Sequence, residues 1–158
     1  MSIDCHLKLN SIEGESTHAN HKGEIVIHNW EWDLFNKSNV EGGGMGVGKG
    51  MPGKFLLQKK YDKSSPVISK YCASGKHFAS AKLSMSLAGG KQEDFLVITL
   101  KEVFITHHQM DASSEGEVMD KVSMSFSDIE YTYKPQKPDG TFSGEVKSGW
   151  NLQTTEVR

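Results

Sequence analysis

Apolar and polar residues alternate with a period of two along most of the chain. In the first such segment the residues on one face are all apolar: Ile3, Cys5, Leu7 and Leu9. The residues between them are polar, which is typical of a strand with one face in a core and the other in water. The same pattern recurs at 24–35, 54–61, 81–87, 94–106, 118–127, 129–133 and 146–152. The chain is therefore predicted to consist mainly of β-strands.

The segment 24–35 carries the most aromatic of these patterns. Its predicted inward face holds Val26, Trp30, Trp32 and Leu34, and Glu31 lies on the opposite face. The two tryptophans could anchor a barrel core or form a shelf for a sugar or another ligand. Core anchoring is favoured, because large aromatic side chains contribute much of the burial in a small core.

One segment departs from the period of two and predicts a short helix. Val67, Ile68, Tyr71 and Cys72 recur at helical spacing between Ser64-Ser65-Pro66 and Gly75. Serine before a helix, proline at its first position and glycine just past its end are the preferred residues. Short strands, turn signals at 88–90 and 138–140 and a single helix predict one all-β domain over residues 1–158, a barrel or a sandwich.

Glycine is concentrated in one place, since seven of the twelve residues from Gly42 to Gly53 are glycine. Gly43, Gly48 and Lys49 have the spacing of a P-loop, but a strand is predicted next in place of the helix that such a site needs. A long hairpin loop is the better interpretation, and long loops in compact domains are usually functional or disordered. The loop predicted to form an assembly contact comprises Gly42, Gly43, Gly44, Met45, Gly46, Val47, Gly48, Lys49 and Gly50.

Composition narrows the class of protein. The chain has 158 residues and a net charge of −2, and Arg158 is its single arginine beside 17 lysines. Nucleic-acid binding is disfavoured, because arginine is the preferred residue for phosphate recognition. The N-terminus lacks the pattern of a signal peptide, and the longest apolar run, 95–98, is too short for a membrane span. We expect synthesis in the cytoplasm, no membrane insertion and, if the protein leaves, a route other than general secretion.

The sequence offers little for catalysis or metal binding. Cys5 and Cys72 match no zinc spacing and are expected to be core residues. The seven histidines show no ligand motif, so solvated or singly hydrogen-bonded side chains are expected. No nucleophile motif is present. We therefore predict a protein that is not an enzyme and holds no metal or cofactor.

Several motifs together resemble the haemolysin-coregulated protein (Hcp) family of type VI secretion. Those that carry the resemblance are Gly14-Glu15-Ser16, Gly23-Glu24-Ile25, Trp30-Glu31-Trp32, the glycine-rich loop, Asp62-Lys63-Ser64-Ser65-Pro66, Ser74-Gly75-Lys76-His77-Phe78, Ala81-Lys82-Leu83, Ala88-Gly89-Gly90, the stretch from Tyr131 to Gly140, and Gly149-Trp150-Asn151. Each is weak alone, but their order and spacing run nearly end to end along the chain. The Ser74–Phe78 stretch is the most specific of them.

The resemblance implies a fold and a function. The implied fold is a two-sheet β-barrel with one short helix beside it. The implied function is a tube subunit that forms homohexameric rings, which stack into the inner tube of a type VI secretion system and carry small effectors in the lumen. Partners would be further copies, the sheath, VgrG-like tip proteins and effectors. The subunit would assemble in the cytoplasm and then be exported by the type VI route without a signal peptide.

Two residue-level hypotheses follow from the resemblance. Glu31 is expected to face the lumen and influence cargo binding, and the loop Gly42–Gly50 is expected to contact the next ring. A monomeric ligand-binding barrel using Trp30, Trp32 and Trp150 is the alternative. A hydrolase using Cys72 or a histidine ranks third.

Overall fold

The computed structural model describes residues 2–36, 49–89 and 92–158. Over these residues it contains eleven strands and one helix. The strands are β1 (Ile3–Leu9), β2 (Ile25–Val26), β3 (Asn29–Glu31), β4 (Leu34–Asn36), β5 (Gly50–Pro52), β6 (Phe55–Lys60), β7 (His77–Leu87), β8 (Asp94–Asp111), β9 (Met119–Ser125), β10 (Asp128–Tyr133) and β11 (Val146–Asn151). Helix α1 spans Ser65–Ser74, between β6 and β7.

Strand β8 is shared by two groups of strands. Its residues 96–101 pair with β10, and its residues 104–111 pair with β9 on the same edge. Between these stretches Glu102 has a φ of +52°, so the strand is irregular where it changes partner. The order β2-β1-β7-β8-β9-β6-β3 continues from one group into the other, and β10 and β11 branch off β8. All of the pairings are antiparallel.

The predicted mainly-β class with one short helix is confirmed, although strand pairing among the described residues does not close into a complete barrel. The two ends of the pairing order, β2 and β3, are consecutive along the chain. The residues between them bond to both sides: the Ile27 amide donates to the Cys5 carbonyl at 2.9 Å, and the His28 amide donates to the Gln58 carbonyl at 2.8 Å. The chain itself therefore spans the gap between the two groups of strands.

The helix forms as the sequence predicts. Pro66 lies in its first turn, and Gly75 ends it in the left-handed conformation with a φ of +69°. Ser64 occupies the N-cap position but makes no side-chain capping bond to the helix. Its hydroxyl instead donates to the carboxylate of Asp62. The Asp62 side chain is therefore bonded to the residue that directly precedes the helix.

The predicted strand 24–35 is the main departure from the sequence analysis, because it forms three short strands. Ile25 and Ile27 are buried, whereas Val26 and Leu34 are about half exposed, so the predicted inward face is wrong at both ends. The residues that point inward change from odd-numbered to even-numbered positions within this segment, because β2 pairs with β1 whereas β3 pairs with β6. The extent of the other strands is closer to prediction, although β7 begins four residues earlier and β8 ends five residues later.

Candidate functional site

One outer face of the protein is polar and, apart from the buried Ser123, at least partly open to solvent. It belongs to β3, β6, β9 and the second half of β8, where residues paired across neighbouring strands project from the same side of the sheet. We call it the polar face; it comprises Asn29, Glu31, Leu56, Gln58, Lys121, Ser123, His107 and Gln109. Seven of these eight residues are polar. Such a surface can stay hydrated against a passing molecule without offering it an apolar patch.

Glu31 lies on this polar face, and the adjacent tryptophans lie on the other side of the strand. The Trp30 ring stacks on Phe55 with ring centroids 6.0 Å apart, and the Trp32 ring lies 5.2 Å from Phe126. The Trp32 indole also donates a hydrogen bond of 2.7 Å to the Tyr131 hydroxyl. The tryptophans therefore pack against the core as favoured from the sequence, and they do not form an exposed shelf for a sugar.

A second exposed surface surrounds the β4–β5 hairpin and is apolar. Leu34, Phe35 and Met51 are each 40–52% exposed there. A groove of about 560 Å³ runs between this hairpin and the C-terminal strands, where Trp150 and Val157 line it. Of the predicted assembly loop, Gly50 lies in β5 and Lys49 lines the groove. Residues 42–48 lie outside the described residues.

The C-terminal residues cover part of the free edge of β11. Gly149 and Arg158 exchange two backbone hydrogen bonds of 2.9 Å. The Arg158 guanidinium binds the Asp128 carboxylate through two bonds of 2.7 Å, and these bonds hold the pKa of Asp128 below its usual range. The single arginine of the chain thus fastens the C-terminus to the sheet.

A fully buried ion pair lies where helix α1 meets the sheet. Lys59 and Asp120 are 1% and 0% exposed and approach within 2.9 Å. The Lys59 ammonium also lies 2.9 Å from Asp62, and it donates to the Ser65 hydroxyl at 2.7 Å. We call Lys59, Asp62, Ser65 and Asp120 the ionic cluster. Burial alone would raise the pKa of Asp120, but hydrogen bonds from Ser65 and Lys59 and the nearby positive charge lower it below its usual value.

Next to this cluster, a serine, a histidine and an aspartate lie in the same sequence of contacts as in a hydrolytic triad. The Ser69 hydroxyl lies 2.7 Å from Nδ1 of His108, whose Nε2 faces Asp120 at 3.3 Å. However, Asp120 is already engaged by Lys59 and Ser65. Ser69 also lies within helix α1, where the neighbouring amides donate to the preceding turn and cannot stabilise an oxyanion. The arrangement therefore holds the helix on the sheet and does not build a reactive serine.

Three histidines that the sequence analysis treated separately come together on the outer face of β1. The ring centroids of His6, His18 and His21 lie 4.8–5.4 Å from one another. His6 and His21 are 4% and 5% exposed, so neither is solvated. The expectation of a solvated or singly hydrogen-bonded side chain is wrong for His21, which has partners on both ring nitrogens. His21 has two carboxylate partners, Glu24 at 3.1 Å and Asp94 at 2.8 Å. We call these five residues the histidine cluster.

The histidines, cysteines and carboxylates of the described residues bear on metal binding and thiol chemistry. No group of three or more histidine, cysteine, aspartate or glutamate side chains there has the arrangement of a metal site. Cys5 is buried as expected, and burial raises the pKa of its thiol to about 12. Cys72 is half-buried against the core. The helix found within these residues is not long and apolar enough to cross a membrane.

A family model and a similar protein indicate the same family. Residues 6–133 match the family described as "Type VI secretion system effector, Hcp". The chain is 36% identical over 157 residues to "Protein hcp1" of Pseudomonas aeruginosa, and the match covers 97% of both proteins.

Solved structures agree in fold. The "crystal structure of Hcp1 from Salmonella typhimurium" superposes with a TM-score of 0.80 at 28% identity and covers 100% of both chains. A structure described as "Structure of a type six secretion system protein" superposes with a TM-score of 0.95 and covers 99% of this chain and 100% of the other. At 23% identity, this second likeness bears on the fold alone.

Proposed function

The chain belongs to the Hcp family of type VI secretion proteins, and from this premise we propose that six copies close into a ring and that rings stack into the inner tube. The polar face, with Glu31 on it, lines the lumen in this arrangement. The apolar hairpin surface around β4 and β5 lies at contacts between copies. The protein acts as a structural subunit and carrier, without catalysis, cofactor or metal.

The observation that carries the proposal is the separation of the two exposed surfaces. The polar face is a continuous stretch of sheet with hydrophilic side chains, which suits a wall along a channel filled with water. The hairpin surface instead exposes Leu34, Phe35 and Met51. Apolar side chains grouped in this way favour burial against another protein. A head-to-tail contact whose rotation closes produces a ring from one such interface.

The mass of the purified protein in solution tests the ring. Light scattering should give about 105 kDa, which is six times the 17.5 kDa of one chain. Negative-stain images of the same sample should show rings with an open centre. Replacing Phe35 by aspartate should lower the mass of the assembly in solution. Glu117→Arg, a change at an exposed carboxylate in the 112–118 turn, is the matched control and should leave that mass unchanged. A monomer at high concentration would favour the ligand-binding barrel instead.

Ring stacking is tested by shortening the glycine-rich loop. Because Asn36 pairs with Gly50, replacing residues 37–49 by Asn-Gly keeps the β4–β5 ladder and closes it with a two-residue turn. Hexamers should persist while tubes are lost from micrographs. Loss of the hexamer would place the loop inside the ring contact, and unchanged tubes would remove it from assembly altogether.

Cargo binding is tested at Glu31. Rings of Glu31→Gln and Glu31→Arg should retain a co-expressed type VI effector to different extents during gel filtration, because the side chain faces the passing cargo. Glu117→Gln, a change at an exposed carboxylate that is not part of the polar face, serves as the control. Equal retention by all three variants and the parent would remove Glu31 from the cargo surface.

Export and partners follow from the same proposal. The subunit assembles in the cytoplasm, binds the sheath, VgrG-like tip proteins and effectors, and leaves by the type VI route without a signal peptide. Cys5 is buried and neither cysteine forms a disulfide, so assembly should be insensitive to reductant. Tubes that came apart in dithiothreitol would contradict this view of the cysteines.

A further inference from the structure

Residues 14–24 form a hairpin that lies over the outer face of β1 and β7, and we call it the flap. Its two arms are joined by backbone bonds from Gly14 to Gly23 at 2.8 Å and from Ser16 to Glu24 at 3.0 Å. Beneath it, His6 of β1 is the direct neighbour of Ser84 on β7. His6, Ser84 and Ser86 are 4%, 1% and 0% exposed, although they lie on the side of the strands that faces away from the core.

The histidine cluster fastens the flap to the sheet, beside two further bonds: the Lys63 amide donates to the Glu15 carboxylate at 2.9 Å, and the Asn20 side chain donates to the Gln92 carbonyl at 3.1 Å. The flap contributes His18, His21 and Glu24, and His21 reaches across to Asp94 at the start of β8. The charged and titratable groups that act on His6 are His21, His18 and Glu24 from the flap and Asp4 from its own strand. From β7 the hydroxyl groups of Ser84 and Ser86 lie on this face, and Lys82 lies one pair further along it, opposite Lys8 of β1.

The cluster can hold one proton easily and a second only with difficulty. A protonated His21 has two carboxylates within 3.1 Å, so its positive charge is compensated. His6 stacks on His21 with ring centroids 4.8 Å apart, and its Nδ1 is buried without a hydrogen-bond partner. A proton on His6 would therefore place a second positive charge against the first, in a site that gives it no acceptor.

We propose that the flap is a latch operated by protons: one proton on His21 closes it, and a second proton on His6 opens it. The latch is a property of the single chain and does not depend on ring formation. It couples acidification to release of residues 14–24 from the β1–β7 sheet. The released flap exposes the polar residues beneath it, while the apolar core on the other side of the sheet remains covered.

The pKa shifts of the two histidines agree with this geometry. Burial lowers the pKa of His21, but bonds to Asp94 and Glu24 outweigh burial and leave the pKa raised. The stability that His21 contributes is therefore complete below its unfolded value and is lost as the pH rises through its folded value. Burial, with His21 and His18, lowers the pKa of His6. Its contribution is present above the unfolded value of 6.5 and is lost as the pH falls towards the folded value.

Hydrogen exchange of the flap tests the latch between about pH 5 and pH 8, the range in which histidine titrates. Protection of the amides in 14–24, corrected for the intrinsic exchange rate, should pass through a maximum. On the acidic side it should fall by up to about tenfold per pH unit, the slope for one coupled proton. Titration of the histidine Cε1 protons by NMR gives an independent check, because His6 and His21 should titrate on opposite sides of 6.5.

The pH profile of flap protection has an acidic limb and an alkaline limb, in which protection is lost on either side of the maximum. Single substitutions show which histidine causes each limb. His6→Gln should abolish the loss of protection at acidic pH, and His21→Gln should abolish the loss at alkaline pH. His107→Gln, a change at an exposed histidine on another part of β8, should leave both limbs unchanged. An acidic limb that persists in His6→Gln but disappears in His18→Gln would overturn the role of His6. Protection independent of pH in the parent protein would overturn the latch.

Discussion

The ionic cluster and the histidine cluster differ in how their buried charges and polar atoms are compensated. In the ionic cluster, Lys59 and Asp120 are oppositely charged and Ser65 bridges them, so each buried charge has a partner. The one atom of the cluster buried without a hydrogen bond is Oδ1 of Asp120, which faces His108 at 3.3 Å. In the histidine cluster, His21 is paired, but His6 Nδ1 is buried without a hydrogen-bond partner, as are the hydroxyl groups of Ser84 and Ser86 beneath the flap. The pKa of Asp120 is lowered, so its carboxylate stays charged over the neutral range, whereas the charge of the histidine cluster depends on pH.

The two clusters also hold different parts of the protein in place. The ionic cluster fixes α1 to β6 and β9, next to the hydrophobic core. The histidine cluster fastens only the flap, which lies outside the sheet. A permanent part of the fold is thus held by permanent charges, and a surface segment is held by groups that titrate near neutrality. A segment held in this way can be released without unfolding the rest of the protein.

Removing one partner of the ionic cluster should have the largest effect. Lys59→Met leaves the buried Asp120 carboxylate without its lysine, and such a loss typically costs about 3–5 kcal/mol in the free energy of unfolding. In the parent protein the lowered pKa of Asp120 keeps this contribution until the pH falls through the folded value. In Lys59→Met the lysine no longer offsets burial, so the pKa of Asp120 should rise and the loss should become smaller towards acidic pH, where the carboxylate is protonated.

Urea denaturation at several pH values provides the measurement for Lys59→Met. Lys60→Met is the matched control, since Lys60 pairs with Glu117 and both side chains are more than 60% exposed. We expect that control to change stability by less than about 1 kcal/mol. A loss in Lys59→Met no larger than in Lys60→Met would show that the buried pair does not distinguish this cluster from the surface.

A change at Gly14 should loosen the flap without altering a titratable group. A Cβ at this position would lie 2.4 Å from the Glu24 carbonyl oxygen, so Gly14→Ala must push the two arms of the flap apart. We expect a loss of about 1–3 kcal/mol, as for other crowded substitutions. Hydrogen exchange should show lower flap protection at every pH, with the shape of the pH profile retained. A profile that became flat would mean that flap geometry, and not histidine charge, sets the pH dependence.

Replacing a serine in the ionic cluster should cost less than removing the lysine. The Ser65 hydroxyl accepts from Lys59 at 2.7 Å and donates to Asp120. Ser65→Ala should therefore lower the free energy of unfolding by about 1–3 kcal/mol, the usual cost of leaving buried polar partners unsatisfied. Thermal and urea unfolding would both report it. A neutral outcome would mean that Lys59 and Asp120 need no bridging hydroxyl.

The same substitution next to the histidine cluster, beneath the flap, should have almost no effect. The Ser84 hydroxyl is buried without a hydrogen-bond partner, so Ser84→Ala removes a polar group that gains nothing from folding. We expect the free energy of unfolding to stay within about 0.5 kcal/mol of the parent value or to rise. A loss as large as that of Ser65→Ala would show that Ser84 is hydrogen-bonded in solution, and the contrast between the clusters would fail.

The sequence was sufficient for local structure where the signals are local. Pro66 and Gly75 mark the ends of a helix that forms as predicted. The alternation in 3–9 corresponds to β1, apart from Ile3, which is 56% exposed at the end of the strand. The phase change in 24–35 was not predictable in this way, because it depends on β2 and β3 pairing with strands distant in sequence.

The ionic cluster had a signal that the sequence analysis did not use. Lys59 is in phase with Phe55 and Leu57 on β6, and Asp120 is in phase with Val122 on β9. A lysine and an aspartate on the apolar faces of two strands indicate a buried ion pair. The histidine cluster had no such signal, since His6 lies on the polar face of β1. Its burial comes from a hairpin that only the tertiary structure brings there.

The surfaces proposed for assembly are only partly readable from sequence. The alternation of Glu31 with Trp30 and Trp32 predicted its exposure, because the large aromatic rings pack into the core on the other side. Which face of the barrel lines a lumen depends on contacts between copies, and a pattern along one chain does not contain them. The same holds for the residues that flank the glycine-rich loop, since β5 was predicted as loop and pairs with β4.

Strand β8 gives the subunit a mechanical property. Its 18 residues, at about 3.3 Å per residue, follow a path of about 60 Å through both groups of strands. A load applied along this strand acts in shear on its hydrogen bonds to β7, β9 and β10, so many bonds must fail together. Despite its irregularity at Glu102, this one strand therefore links the two groups of strands mechanically. In a tube driven from behind, that strand would work as a strut.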